Sequence, residues 1–164
     1  MNRPLYQPFT TEDHDHQACL SEALDAAEKI CRRQGRRFTD MRKKVFELVW
    51  RQHKPVGAYQ ILDALQQQGR AAPPTVYRAL DFLQETGLVH RIASLNAYVG
   101  CCEPGRLHDG QFLICESCHA LAELNAPAVT AAIERSADSL DFQVRITTVD
   151  GLGLCPSRRS NGRS

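Results

Sequence analysis

A Cys-x-x-Cys pair, Cys115-Glu-Ser-Cys118, is followed after a helix-sized and a strand-sized segment by Cys155, where a second such pair would open. Two pairs on opposing turns build a tetrahedral thiolate zinc site, which ties distant segments to one point and restricts a fold more than any propensity does. Position 158, which would close the second pair, is Arg158, and a permanently cationic guanidinium cannot ligate zinc. The expected structural site is therefore Cys115, Cys118 and Cys155. Its fourth place leaves three readings: completion by water or a nearby His such as His119, a weakened site, or an introduced substitution. Because His119 follows Cys118, the run also spells the c-type haem attachment pattern. That chemistry generally needs export, and Met1 to Cys31 shows no signal-peptide apolar core.

Seven cysteines without an export signal point to thiols and metal rather than disulfides. No stretch reaches the roughly 20 apolar residues of a membrane span, and the expected location is the cytoplasm. Net charge is only +1, but it is unevenly spread. Ten Lys or Arg lie between Lys29 and Lys54 against Asp40 and Glu47, whereas the segment after residue 92 holds six basic and eight acidic residues. A basic first half joined to a neutral-to-acidic second half fits a nucleic-acid-binding module fused to something else. A solvated helix face is the plain alternative.

Residues 1–15 read as a loose arm, with His14 and His16 solvated. Apolar spacing from Ala18 to Cys31 gives a helix stopped at Gly35, and Thr39 is a good N-cap for the next, with Val45, Leu48 and Val49 inward. Cys19 and Cys31 read as packing residues. A third helix spans Ala58 to Gln68, with Ile61, Leu62 and Leu65 inward. Pro73-Pro74 opens a fourth, Thr75 to Thr86, closed by Gly87. Its inner face is Val76, Ala79, Leu80 and Leu83, which leaves Thr75, Tyr77, Arg78 and Asp81 outside. The runs 88–92 and 97–99 predict a small hairpin.

Two helices, a short turn and a hairpin make a winged helix-turn-helix, whose second helix enters the major groove. Arg78 is placed to contact guanine through a bidentate pair; a surface salt bridge to Asp81 or Glu85 is its other reading. Arg36, Arg37, Arg42, Lys43 and Lys44 fit phosphate contacts. After residue 100 the composition changes. Phe112-Leu113-Ile114 leads into Cys115, residues 120–124 return as a strand, 127–140 form a helix, and 144–149 form a β-branched strand. So small a sheet is expected to be completed by a second copy. The fold class is thus α+β, an N-terminal winged helix-turn-helix domain followed by a small α/β dimerisation domain with metal sites. The expected boundaries are residues 1–92 for DNA binding, 93–100 for a hinge and 101–164 for dimerisation and metal binding.

His90, Cys101, His108 and Glu123 form a second candidate set. Singly, His90 reads as a wing residue near phosphate and Glu123 as a solvated carboxylate. Together, two nitrogens, a thiolate and a carboxylate suit tetrahedral zinc, and the thiolate argues against manganese or magnesium.

The chain resembles the ferric uptake regulator family, and within it the zinc uptake regulator branch, from about Cys19 to Cys155. The resemblance rests on Pro73-Pro-Thr-Val-Tyr-Arg-Ala-Leu-Asp-Phe-Leu83, on Gly87-Leu-Val-His90, and on Asn96-Ala-Tyr-Val99 with Cys101. Phe112 to Cys118 and Gly151-Leu-Gly-Leu-Cys155-Pro extend it. The resemblance implies a homodimer, a regulatory zinc site on His90, Cys101, His108 and Glu123, and a structural zinc site on Cys115, Cys118, Cys155 and position 158. Cys102 is an extra thiol that competes with Cys101 for the ligand role. The resemblance also implies that Tyr59 and Arg78 read operator bases.

The implied function is a zinc-responsive transcriptional regulator, mainly a repressor of zinc uptake genes, with Zn(II) as corepressor. Its partners would be double-stranded operator DNA and a second copy, with no membrane or small-molecule substrate. Zinc held by all four regulatory ligands would select a closed dimer matching half-sites roughly 34 Å apart. An iron- or peroxide-responsive regulator of the same family is the alternative, against which Cys101 weighs. A zinc enzyme using Glu123 as base and a purely structural zinc ribbon are the readings from other classes. Neither explains the basic helix-turn-helix, and no enzyme activity is expected.

Overall fold

The computed structural model describes residues 9, 15–69, 71–105 and 108–160, and their contacts divide the chain into two units between residue 107 and His108. The arm expected over residues 1–15 lies, apart from Phe9 and Asp15, outside the described residues, as does His14. The architecture is the α+β arrangement expected from the sequence: a winged helix-turn-helix, then a small α/β unit.

In the first unit, α1 (His16–Arg33) starts at Asp15, whose carboxylate accepts N–H bonds from Gln17 and Ala18 at 3.0 and 3.2 Å. It stops at Gly35 (φ +66°), where the Arg36 N–H reaches back to the Cys31 carbonyl at 2.8 Å. The same closure ends α4 (Pro73–Glu85): Gly87 takes φ +71° and the Leu88 N–H reaches the Leu83 carbonyl at 2.8 Å. A side chain at either glycine would strain the left-handed turn that satisfies the last carbonyls. Helix α4 begins at Pro73 rather than Thr75, because proline's fixed φ is already helical at the first turn. Thr39 precedes α2 (Asp40–Trp50), but its side chain makes no capping bond.

The inner faces of α2, α3 (Ala58–Gln66) and α4 meet in one core, which includes Val45, Phe46, Val49, Ile61, Leu65, Val76, Leu80 and Leu83. Cys31 is buried in that core, a packing residue as expected. Leu80 and Leu83 are fully buried, so truncating either to Ala costs about 2–5 kcal/mol. The exposed side of α4 carries Thr75, Tyr77, Arg78 and Asp81, as the spacing requires. Strands β2 (Val89–Ile92) and β3 (Ala97–Gly100) form the expected hairpin around a single 3-10 turn, Ala93–Leu95. A two-residue strand not foreseen from sequence, β1 (Val56–Gly57), pairs with the other edge of β3. Residues 93–100, expected as a hinge, are therefore that turn and the central strand of this sheet.

The second unit is a sheet in the order β5-β4-β6, with β5 (Leu121–Glu123) antiparallel and β6 (Thr148–Gly153) parallel to β4 (Gly110–Cys115). Helix α5 (Pro127–Asp138) connects β5 toward β6, and a short α6 (Pro156–Ser160) follows Cys155. The strand expected at 144–149 instead runs 148–153. Its register sets Gly151 against Leu113, whose Cδ2 would lie 2.8 Å from an added Cβ. The ladder therefore uses a glycine that β-propensity would have rejected, while Ile146 stays 65% exposed.

Candidate metal centre

Two pairs of candidate ligands and a thiol cluster emerge from these elements. In the first unit, His90 lies on β2 opposite Val99, and Cys101 directly follows β3, its N–H donating to the Leu88 carbonyl at 3.0 Å. The Cys101 thiol is buried and lies within 4.8 Å of a ring nitrogen of His90. Cys102, the competing thiol, is half-buried and is not part of this group. The approach to Cys101 is set by Gly100, where an added Cβ would lie 2.2 Å from Cε2 of Trp50. Only glycine lets the strand pass under that indole.

In the second unit, His108 precedes β4 and Glu123 ends β5, opposite Phe112. His108 Nε2 sits 3.0 Å from Oε1 of Glu123. Glu123 is 6% exposed, so the solvated carboxylate reading does not hold. A carboxylate removed from water requires a hydrogen-bond donor or a cation, and the imidazole stands where one is needed.

The thiol cluster is built by the turn after β4 and the chain end after β6. Cys115, Cys118 and Cys155 bring their sulfurs within 4.8 Å of one another, with Cys118 Sγ 3.7 Å from Cys155 Sγ. The Cys155 backbone N–H is the largest influence holding the Cys115 thiol down, to about 6; the N–H groups of Cys118 and Ser117 add to it. Burial pushes the Cys155 thiol up, against the N–H of Arg158. Backbone donors converging on sulfur are what a bound thiolate needs. Among the described residues no fourth Cys, His, Asp or Glu joins the three; His119 is exposed and outside the group. Arg158 lies exposed on α6, and its contribution is backbone alone.

Both donor sets fit zinc: thiolate, imidazole and carboxylate are its borderline-soft ligands, and three thiolates exclude hard cations. No disulfide joins the described cysteines.

On the helix-turn-helix, Tyr59 is 80% and Tyr77 51% exposed, and Thr75, Arg37 and Arg78 face solvent. Arg78 makes no salt bridge to Asp81 or Glu85; Glu85 pairs instead with Arg36 at 2.7 Å. Three of the basic residues expected at phosphates are engaged within the unit. Arg36 and Arg42 lie over the Phe82 ring at 5.0 and 3.5 Å, Arg42 also donates to the Arg37 carbonyl, and Lys43 pairs with Glu28. Sequence spacing showed the basic block but not these partners, which come from α1 and α4.

The family model for the ferric uptake regulator family matches residues 33–150. The zinc uptake regulation proteins of Escherichia coli (strain K12) and Shigella flexneri are each 39% identical over 138 residues, covering 82% of this chain and 80% of theirs. Among solved structures, holo XcZur superposes with a TM-score of 0.80 at 40% identity, covering 86% of this chain and 99% of that one. A zinc uptake regulator complexed with zinc and DNA superposes with a TM-score of 0.81 at 34% identity, covering 93% and 100%.

Proposed function

Since the chain belongs to the ferric uptake regulator family, we propose that it is a zinc-responsive DNA-binding transcriptional regulator, mainly a repressor of zinc uptake genes. The observation that carries this is the division of a zinc-type donor set between the two units: a His–Cys pair in the first and a His–Glu pair in the second. His90, Cys101, His108 and Glu123 would hold the zinc through two imidazoles, a thiolate and a carboxylate, and the bound dication would offset the charge of the two anionic ligands. His90 and Cys101 belong to the unit that carries α4; His108 and Glu123 belong to the other. All four can share one ion only in one relative orientation of the units, so ligation selects that orientation from the ensemble.

In that state α4 presents Thr75, Tyr77 and Arg78 to the major groove, with Tyr59 from α3 beside them and Arg37 toward phosphate. The guanidinium of Arg78, without an acidic partner, is available for a bidentate bond to guanine. Arg36, Arg42 and Lys43 help chiefly by bracing α1, α2 and α4 around Phe82 and Glu28, with their remaining donors toward the backbone. Cys115, Cys118 and Cys155 would hold a structural zinc with three thiolates. The second unit serves dimerisation: α5 has no buried residue, and Leu140, Phe142, Leu152 and Leu154 are all more than half exposed, surface that a second copy would cover. Action on operator DNA places the protein in the cytoplasm; among the described residues no helix is long and apolar enough to cross a membrane.

The test is selection of bound fragments from a random double-stranded DNA library by the full-length dimer with zinc, followed by anisotropy titration on the enriched sequence. Binding is expected with zinc and not with chelator, iron(II) or manganese(II). Equal binding in metal-free buffer, or preference for iron(II), overturns the proposal.

A further inference from the structure

The metal pair of the second unit is tied to α5 by hydrogen bonds that no ligand role explains. Gln111, one of few buried polar residues at 4% exposure, grips both ends of one residue at the start of that helix. Its Oε1 accepts from the Ala126 N–H at 2.9 Å, and its Nε2 donates to the Ala126 carbonyl at 3.2 Å. Its own carbonyl accepts the Leu124 N–H at 2.7 Å. The loop leaving Glu123 is thus held from its first residue to the helix start. Nε2 also donates at 3.0 Å to Oγ1 of Thr130, which in turn donates at 2.8 Å to Oδ2 of Asp109, the residue after His108. The other Asp109 oxygen accepts the Thr147 N–H at 2.9 Å.

We propose that Gln111, Thr130 and Asp109 are positioning residues for the metal pair, fixing the 3.0 Å approach of His108 to Glu123 by locking the chain beside each ligand onto α5. The inference rests on the zinc reading of His108 and Glu123. Thr130 is the keystone, since its hydroxyl accepts from the Glu123 side and donates to the His108 side. Without it Asp109 loses its tie to α5 while Gln111 keeps only Ala126 at the helix start, so the His108 side is no longer referred to the helix that holds the Glu123 side. Residues that orient ligands from behind typically cost 10–100-fold in metal affinity when lost; these act through backbone rather than on the ligand atoms, so the lower end applies.

The experiment uses the full-length protein. Zinc affinity is measured by competition with a chromophoric chelator, and coordination by the visible bands of the cobalt(II)-loaded form. Thr130→Val is expected to weaken the exchangeable equivalent about 10-fold and to shift its cobalt bands. The three-thiol equivalent, at the other end of the same strand, should be unchanged. Thr130→Ser, which restores the hydroxyl, should return both readouts to the parent. Gln111→Met, which releases Ala126 too, should weaken binding further. Parental affinity and spectrum in Thr130→Val overturn the inference, as does a loss at both metal equivalents, which would signify general loosening of the sheet. His108→Ala separates the two readings: it must remove the exchangeable equivalent, and its retention there would sink the zinc assignment itself.

Discussion

Replacing Gly100 by Ala should damage the protein far more than adding one methyl group to a strand normally does. The added Cβ would stand 2.2, 2.4 and 2.7 Å from Cε2, Nε1 and Cζ2 of Trp50, all inside the 3.0 Å that real Cβ atoms respect. The indole cannot simply swing away. It is flanked by the Phe46 ring at 5.9 Å and the His53 ring at 5.5 Å, and Phe46 is itself 2% exposed in the core. Overpacking of this kind costs about 1–3 kcal/mol, and three simultaneous clashes with a rigid ring put Gly100→Ala near the top, at about 3 kcal/mol. For a chain of this size about 2–4 °C is lost per kcal/mol, so the melting temperature should fall by about 6–12 °C. The assay is thermal and urea unfolding by circular dichroism of four proteins: parent, Gly100→Ala, Trp50→Leu and the double variant. Trp50→Leu removes the obstacle, so Gly100→Ala in that background should cost under about 1 kcal/mol, and the cycle should show strong coupling. Zinc affinity should fall with Gly100→Ala as well, because Cys101 is the next residue. Equal stability of Gly100→Ala and parent, or full additivity in the cycle, would refute the reasoning.

Cys101→Ser should fold and dimerise yet fail to bind DNA at zinc levels that saturate the parent, checked by anisotropy beside size-exclusion chromatography; retained zinc-dependent binding moves the sensor elsewhere. Arg158→Cys should tighten the three-thiol site and raise the melting temperature under matched zinc, and equal melting temperatures would mean that the fourth ligand is immaterial. Arg78→Ala should lose about 1–3 kcal/mol of discrimination at one guanine with little change in unfolding, whereas Arg36→Ala should leave base preference intact and cost at most about 1 kcal/mol of stability, since its pair with Glu85 is partly exposed. In metal-free reduced protein, thiolate absorbance should show a step near 6 that Cys115→Ser removes. Because that folded value lies below the about 8.5 of an unfolded thiol, the Cys115 contribution to stability is full above the unfolded value and is lost as pH falls through about 6, and unfolding midpoints against pH should follow that sense.

Much of the first unit was legible because its signals are local. Helix stops at Gly35 and Gly87, the buried stripe of α4 and the hairpin around residues 93–96 each follow from neighbours in sequence, and the structure reproduces them. What could not be read was partnership across sequence distance. Arg36, Arg42 and Lys43 look alike as charges, but only the packing of α1 and α4 against α2 sets Glu85, Phe82 and Glu28 before them. The displacement of β6 has the same origin: its register answers to Leu113, thirty-eight residues before Gly151. Glu123 has no local mark of burial, and becomes distinctive only when β5 folds beside β4 and sets it against His108.

Strand β4 gives the two candidate metal sets unequal structural weight. His108 lies just before its start and Cys115 at its end, so about 23 Å of extended chain separates them at about 3.3 Å per residue. The His108–Glu123 contact closes a span of 15 residues between strands that already form an antiparallel pair. The Cys118–Cys155 contact closes a span of 37 residues, at the end of the parallel β4–β6 pairing, which no tight turn can nucleate. By loop-closure entropy alone the longer tie is worth about 0.8 kcal/mol more, and it also secures the less easily formed pair of strands. A ligand that must come and go is better placed where its loss opens a hairpin than where it would free a crossover. On the proposed assignment, the three-thiol cluster is the end of β4 that should hold the fold, and the His108–Glu123 end is the one at which metal should exchange without unfolding it.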